Sequence, residues 1–186
     1  EESAPGSAVL TSRGRLTATQ LTIVYPSYPN IVAAYGQTAY VGNVDLVHVV
    51  DLTNPASPVF KARVGNATYG YEMKDMAVWN NRLAASTTHP HYPLVIGRLD
   101  APQSPTFSAN DFAYIASFGG TDRLDLDGDI VYASRGTAGV AAFRMAATGR
   151  PALLAAAVPP GVSRRLDHVG DSLVVATGYG YGMGLY

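Results

Sequence analysis

The densest group of side chains able to bind a cation is Asp122, Asp125, Asp127 and Asp129. In an extended strand Asp125, Asp127 and Asp129 share one face, and carboxylates converging on one face are the oxygen ligands Ca²⁺ takes. An EF-hand loop requires Gly at its sixth position, whereas here Gly128 stands between the last two carboxylates, so that loop is excluded. A polar strand ending in an Asp-Gly-Asp hairpin explains the segment better than a Ca²⁺ site at a rim. His89-Pro90-His91 places two imidazoles together in a loop, with His48 inside an apolar strand and His168 in a hairpin. Zinc needs at least three converging ligands, and ordinary loop histidines account for the pair. No Gly-x-Ser-x-Gly elbow occurs, and no Gly-rich phosphate loop precedes a helix. Without cysteine there is neither a thiolate metal site nor a disulfide. The chain is therefore expected to be noncatalytic, with no cofactor and no metal. Asn66-Ala67-Thr68 is an N-glycosylation sequon in a link between units, a three-residue match of a kind that also arises by chance.

The elements that must position these residues are written as a repeat. Apolar run, polar step, Pro and second apolar run recur at Leu46 to Phe60, Pro93 to Phe107 and Gly139 to Leu154. Anchored on Pro58, Pro105 and Pro151, the periods are 47 and 46 residues, and Asp51, Arg98 and Arg144 stand seven residues before the anchors. A period in the forties built from short strands predicts a repeat architecture. Each unit opens with a tight hairpin: a short strand meets Gly36-Gln37, Asn80-Asn81, Gly128-Asp129 or Gly170-Asp171, and a second strand follows. Those second strands are expected at Thr38 to Gly42, Arg82 to Ser86, Ile130 to Ser134 and Ser172 to Thr177. The units span about 30–65, 71–112, 121–159 and 163–186, and no helix is expected. Alternation predicts burial of Val47, Val49, Val95, Val140, Leu166 and Val174, with Trp79 packed between units. The three anchor prolines should open outer strands, where a missing N–H is tolerated.

Composition narrows the function classes. The 186 residues suffice for one domain with a sizeable core, here 8–186 after a flexible leader at 1–7. The formal net charge is −1, with basic residues scattered rather than clustered, which argues against nucleic-acid binding. No apolar run approaches the roughly 18 to 20 residues that span a bilayer. The polar, small-residue start Glu-Glu-Ser-Ala-Pro-Gly-Ser suits a mature exported chain.

Val49 to Phe60, reading VVDLTNPASPVF and preceded by Thr38-Ala39-Tyr40-Val41-Gly42, resembles the LVIVD repeat family. The resemblance covers residues 30 to 186; it is close in the first unit and looser in the others, where Arg98 and Arg144 replace the Asp and the third unit lacks Asn-Pro. It implies a β-propeller scaffold of extracellular or surface-associated proteins, with no shared catalytic residues. The expected fold is all-β: a propeller of four blades of about 45 residues, against the alternative of a fragment from a larger ring. The fourth unit aligns Gly182 to Tyr186 with Gly139 to Phe143 and is then expected to lack an outer strand, while residues 15–25 read as a surplus strand. That strand is expected beside the last one, closing its own ring or a neighbour's. Arg15, Leu16, Leu21, Ile23 and Tyr25 are the candidate assembly residues on one side; Tyr179, Tyr181, Met183, Leu185 and Tyr186 are those on the other. The Gly-alternating terminus gives one aromatic, apolar face and one of bare backbone. The expectation is a secreted or cell-surface structural subunit that self-associates, with filaments as one outcome; the rival is an extracellular propeller that binds a ligand or protein.

Overall fold

The computed structural model describes residue 16 and residues 31–42, 46–65, 73–88, 94–106, 112–113, 121–145, 150–170, 172–178 and 182–185. They form four antiparallel sheets in chain order and no helix. The first sheet is β1 (Ile31–Tyr35), β2 (Thr38–Gly42), β3 (Leu46–Asp51) and β4 (Val59–Gly65). The second is β5 (Met73–Trp79), β6 (Arg82–Thr87), β7 (Leu94–Arg98) and the short β8 (Phe112–Ala113). The third is β9 (Arg123–Asp127), β10 (Ile130–Ser134), β11 (Val140–Arg144) and β12 (Ala152–Ala157). The fourth is β13 (Val162–Val169), β14 (Ser172–Gly178) and β15 (Gly182–Leu185). Each sheet is a meander whose spatial order follows the sequence, the arrangement that short hairpin links favour.

The four opening hairpins form where the sequence predicts them. Strands end in directly paired residues such as Tyr35 with Thr38 and Asp127 with Ile130, leaving two-residue turns. Gly36, Gly128 and Gly170 each take φ of 57°, and Asn80 takes 49° as the described non-glycine residue with positive φ. A left-handed residue in a two-residue turn matches the twist of the flanking strands. A second repeated bond ties the exit of the third strand back to the opening turn in the first three units. The backbone N–H groups of Leu52, Leu99 and Met145, one residue past the third strand, donate to the carbonyls of Gln37, Asn81 and Asp129, each at 2.7 Å. Pro58 and Pro151 immediately precede β4 and β12, and Pro105 immediately precedes the Thr106–Arg98 bridge. Pro58 and Pro151 thus open outer strands as expected, whereas Pro105 opens only a single bridged residue, Thr106.

Sheets pack face to face in sequence. Tyr40, Val47 and Val49 of the first meet Met73, Met76, Leu83 and Ala85 of the second. Ala84, Leu94 and Ile96 on the second sheet's other face meet Val131, Ala133 and Phe143 of the third, with Trp79 packed against this layer. Val140 of the third meets Leu173 and Val175 of the fourth, with Leu166 alongside. Val47, Val49, Val95 and Val140 are buried as predicted, and Leu166 is half-buried. Val174 departs as Leu166 does and, unlike it, takes no part in the Val140 layer. It is only half-buried, while Val175 is fully buried and Leu173 nearly so. Successive strand residues face opposite ways, so a one-residue error in register exchanges the faces. First strands also touch in sequence, β1 with β5, β5 with β9 and β9 with β13.

Candidate functional site

The polar side chains that link one unit to the next lie along this line of first strands. The Asp75 carboxylate of β5 accepts a 3.1 Å hydrogen bond from the backbone N–H of Leu124 on β9, and Arg123 Nη1 donates to the Lys74 carbonyl at 3.2 Å. Each bond spans 49 residues, joining the second unit to the third. At the next seam the Asp125 carboxylate lies 2.7 Å from Nδ1 of His168 on β13. Asp127 stands 4.0 Å from Nε2 of the same ring. The hydrogen bond that His168 donates to Asp125, above all, holds the His168 pKa above its ordinary 6.5, and the charges of Asp125, Asp127 and Asp167 act the same way. Backbone bonds accompany both seams, from Thr121 N–H to the Thr87 carbonyl at 2.9 Å and from Ser163 N–H to the Gly136 carbonyl at 3.0 Å.

The predicted aspartate trio is parted by this geometry. Asp125 and Asp127 turn toward His168, whereas Asp129 lies beyond the strand in the Gly128 turn and pairs with Arg144 at 3.4 Å. β9 is moreover a first strand, in contact with β5 and β13, and not a rim strand. The described residues whose ligand atoms come together are Asp125, Asp167 and His168, within 4.8 Å of one another. This group draws on two units, and its shortest contact is already a charge-assisted hydrogen bond. The sequence holds one signal for it: Arg-Leu-Asp recurs 42 residues on, so the position after the second Asp, His168, comes beside the first.

The other candidates fall in different places. His48 is buried on β3, its ring centroid 6.2 Å from that of Phe60. Leu16 packs with Ala39, Val50 and Phe60 on the face of the first sheet turned away from the second. Met183 and Leu185 lie in β15, which pairs with β14 through Val174 with Leu185 and Ala176 with Met183. Arg15, Leu21, Ile23, Tyr25, Asn66, His89, His91, Tyr179, Tyr181 and Tyr186 lie outside the described residues.

Between the first and second units a cleft of about 470 Å³ is lined by Tyr35, Gln37, Thr53, Gln103 and Ser104 among others. Pro102, which lines it, accepts through its carbonyl a 2.9 Å hydrogen bond from the hydroxyl of Tyr40, whose pKa burial raises to about 12. Beside it Asp51 accepts from the Thr53 hydroxyl at 2.6 Å and the Thr53 N–H at 2.8 Å. Those bonds, with Lys61 at 3.2 Å, hold its carboxyl down at about 2.

Comparison with known proteins agrees with the architecture. The computationally designed Ika4 protein superposes with a TM-score of 0.64 at 10% identity, over 88% of this chain and 92% of that one. The designed Ika8 protein gives 0.63 at 11% identity, over 84% of this chain and 44% of that one. The Pseudomonas aeruginosa periplasmic gluconolactonase PpgL gives 0.62 at 17% identity, over 80% of this chain and 50% of that one. The chain thus spans about half the length of the last two. Identities this low show the fold alone: an all-β chain of antiparallel four-stranded units consistent with a β-propeller. No curated protein sequence matches the chain. Among the described residues no helix is long and apolar enough to cross a membrane. Residues 26–66 match the LVIVD repeat, and the first unit is therefore an LVIVD repeat, a family associated with β-propeller repeats.

Proposed function

We propose that this chain is a noncatalytic, extracellular propeller of four units that serves as a structural or assembly subunit. Its fourth sheet takes residues 15–25 as its outer strand, from its own chain or from a neighbouring copy. The observation that carries the reading is the fourth sheet itself. Among the described residues it has three strands, β15 pairing with β14 alone, where every other unit has four. An edge strand with open N–H and C=O groups is a template for one more strand.

Two further observations support it. The face of the first sheet turned away from the second carries His48 at 1% exposure and Val50 at 3%. Such burial fits a ring in which the fourth unit returns to cover the first, with Leu16 supplying part of the cover. Leu16, the one described residue before Ile31, rests on this same face of the first sheet. The noncatalytic reading rests on how the acidic side chains are used. Asp75 holds a neighbouring backbone, Asp125 a neighbouring imidazole, and Asp129 an arginine.

Strand donation within one chain gives a closed monomer; donation between chains gives a head-to-tail contact that propagates. Electron microscopy and light scattering of the full chain and of one lacking residues 1–25 test the reading. Filaments or a compact particle are expected from the full chain, and loss of assembly or aggregation from the shortened one. Equal stability and association in both would refute it. The second reading, a binding module, is favoured by the cleft between the first two units. Its lining combines Tyr35, Ala101 and Pro102 with the neutral hydrogen-bonding side chains of Gln37, Thr53, Gln103 and Ser104, which suits an uncharged ligand with an apolar body.

A further inference from the structure

The outer strands of the sheets protect their open edges unequally. β4 carries Lys61 and Arg63, both exposed, and β8 is only two residues long. Edge charge and shortness are two devices by which sheets resist pairing with other chains. β12 has neither. It reads Ala-Leu-Leu-Ala-Ala-Ala with its first five residues exposed, Leu153 at 47% and Leu154 at 45%, and it bonds to β11 on one side only among the described residues.

Comparison of the first and third units sharpens the contrast. The register slips at the same place in both, leaving Lys61 unopposed between Phe60 and Ala62, and Leu154 unopposed between Leu153 and Ala155. In the first unit this extra residue is a lysine anchored to Asp51 at 3.2 Å. In the third, Arg144 stands in the place of Asp51 and turns to Asp129, and the extra residue is an exposed leucine. The third unit thus has an apolar side chain where the first has a charge that repels its own copy.

We propose that β12 is a self-association edge, pairing antiparallel with β12 of a second copy about a twofold axis. The segment suits its own copy better than a charged partner. Between Pro151 and Pro159, neither of which donates an N–H, no residue is charged. Arg150 lies at one end only, so antiparallel pairing carries the two arginines to opposite ends, where a parallel register would stack them. Leucines at the start of each strand fall toward alanines at the end of the other, so large side chains meet small ones. This interface lies on the third sheet, apart from β15, and does not depend on strand addition there.

The full-length, cysteine-free chain makes the test direct. Residues 152 to 156 are replaced singly by Cys, and each variant is oxidised mildly and run without reductant. A residue facing its own copy across an antiparallel pair has Cα atoms about 4.5 to 5.5 Å apart, within the reach of a disulfide. One or two positions should give a covalent dimer, while Lys61→Cys, at the matching place of the first unit, should stay monomeric. Light scattering of Leu153→Lys/Leu154→Lys, both exposed sites, should show that the associated mass of the parent falls, with the thermal midpoint retained. Trapping at none of the five positions, equal trapping at Lys61→Cys, or an unchanged mass in the double variant would overturn the proposal.

Discussion

Two glycines and one histidine show how single residues hold the units. Gly128 takes φ of 57° with open space where a Cβ would stand, so Gly128→Ala should cost only the left-handed backbone term, about 1 kcal/mol. Gly139 takes φ of 91°, and a Cβ there would overlap the Ala157 carbonyl on β12. Gly139→Ala should destabilise by clearly more, and denaturant titration ranks the two; equal costs would show that the β11 entry can relax. His168 gives a pH signature. Its pKa is raised in the fold, so the Asp125 partnership stabilises fully below 6.5 and is lost as pH rises through the folded value. Asp125→Asn should therefore lower the thermal midpoint most in mild acid and progressively less toward alkaline pH. A difference that stays flat across about pH 5 to 8 would remove His168 from that role. Asp51 has the opposite sign. Its contribution is present above the ordinary carboxylate value of 3.8 and disappears as pH falls toward about 2.

At the scale of strands, the local rules of the sequence carry far. Tight turns need residues that accept positive φ, so Gly36, Asn80, Gly128 and Gly170 announce four hairpins, and Pro58 and Pro151 announce outer strands. Second strands appear at Thr38–Gly42 and Ile130–Ser134, the expected limits. Contacts between units are less legible, because periodicity says which residues share a face but not which neighbour that face meets. Asp75 meeting Leu124, and Asp125 meeting His168, depend on how first strands stack, which is a tertiary matter. The Val174 and Val175 exchange has a different origin. An apolar run with no polar alternation, Leu173-Val174-Val175-Ala176, gives no signal for the inward face. Val175→Ala should cost about 1 to 3 kcal/mol and Val174→Ala less, as equilibrium unfolding of both would show; the reverse order would place the fourth sheet's register one residue away.

Over the whole molecule, sheets one to three interlock through two continuous apolar layers, and the fourth joins through a smaller one around Val140, Leu173 and Val175. The far side of that fourth sheet decides how the ring or the assembly is completed. Hydrogen exchange at the amides of Gly182 to Leu185 in the full-length chain is the direct test. Amides of an antiparallel strand point alternately to its two neighbours, and β14 satisfies only one set. If residues 15–25 supply a fourth strand, both sets should exchange slowly, at rates like those of β14, and the amides of 15–25 should be protected with them. If alternate β15 amides exchange as freely as an unstructured chain, the strand is an open edge, and completion of the fourth unit by the N-terminal strand is contradicted.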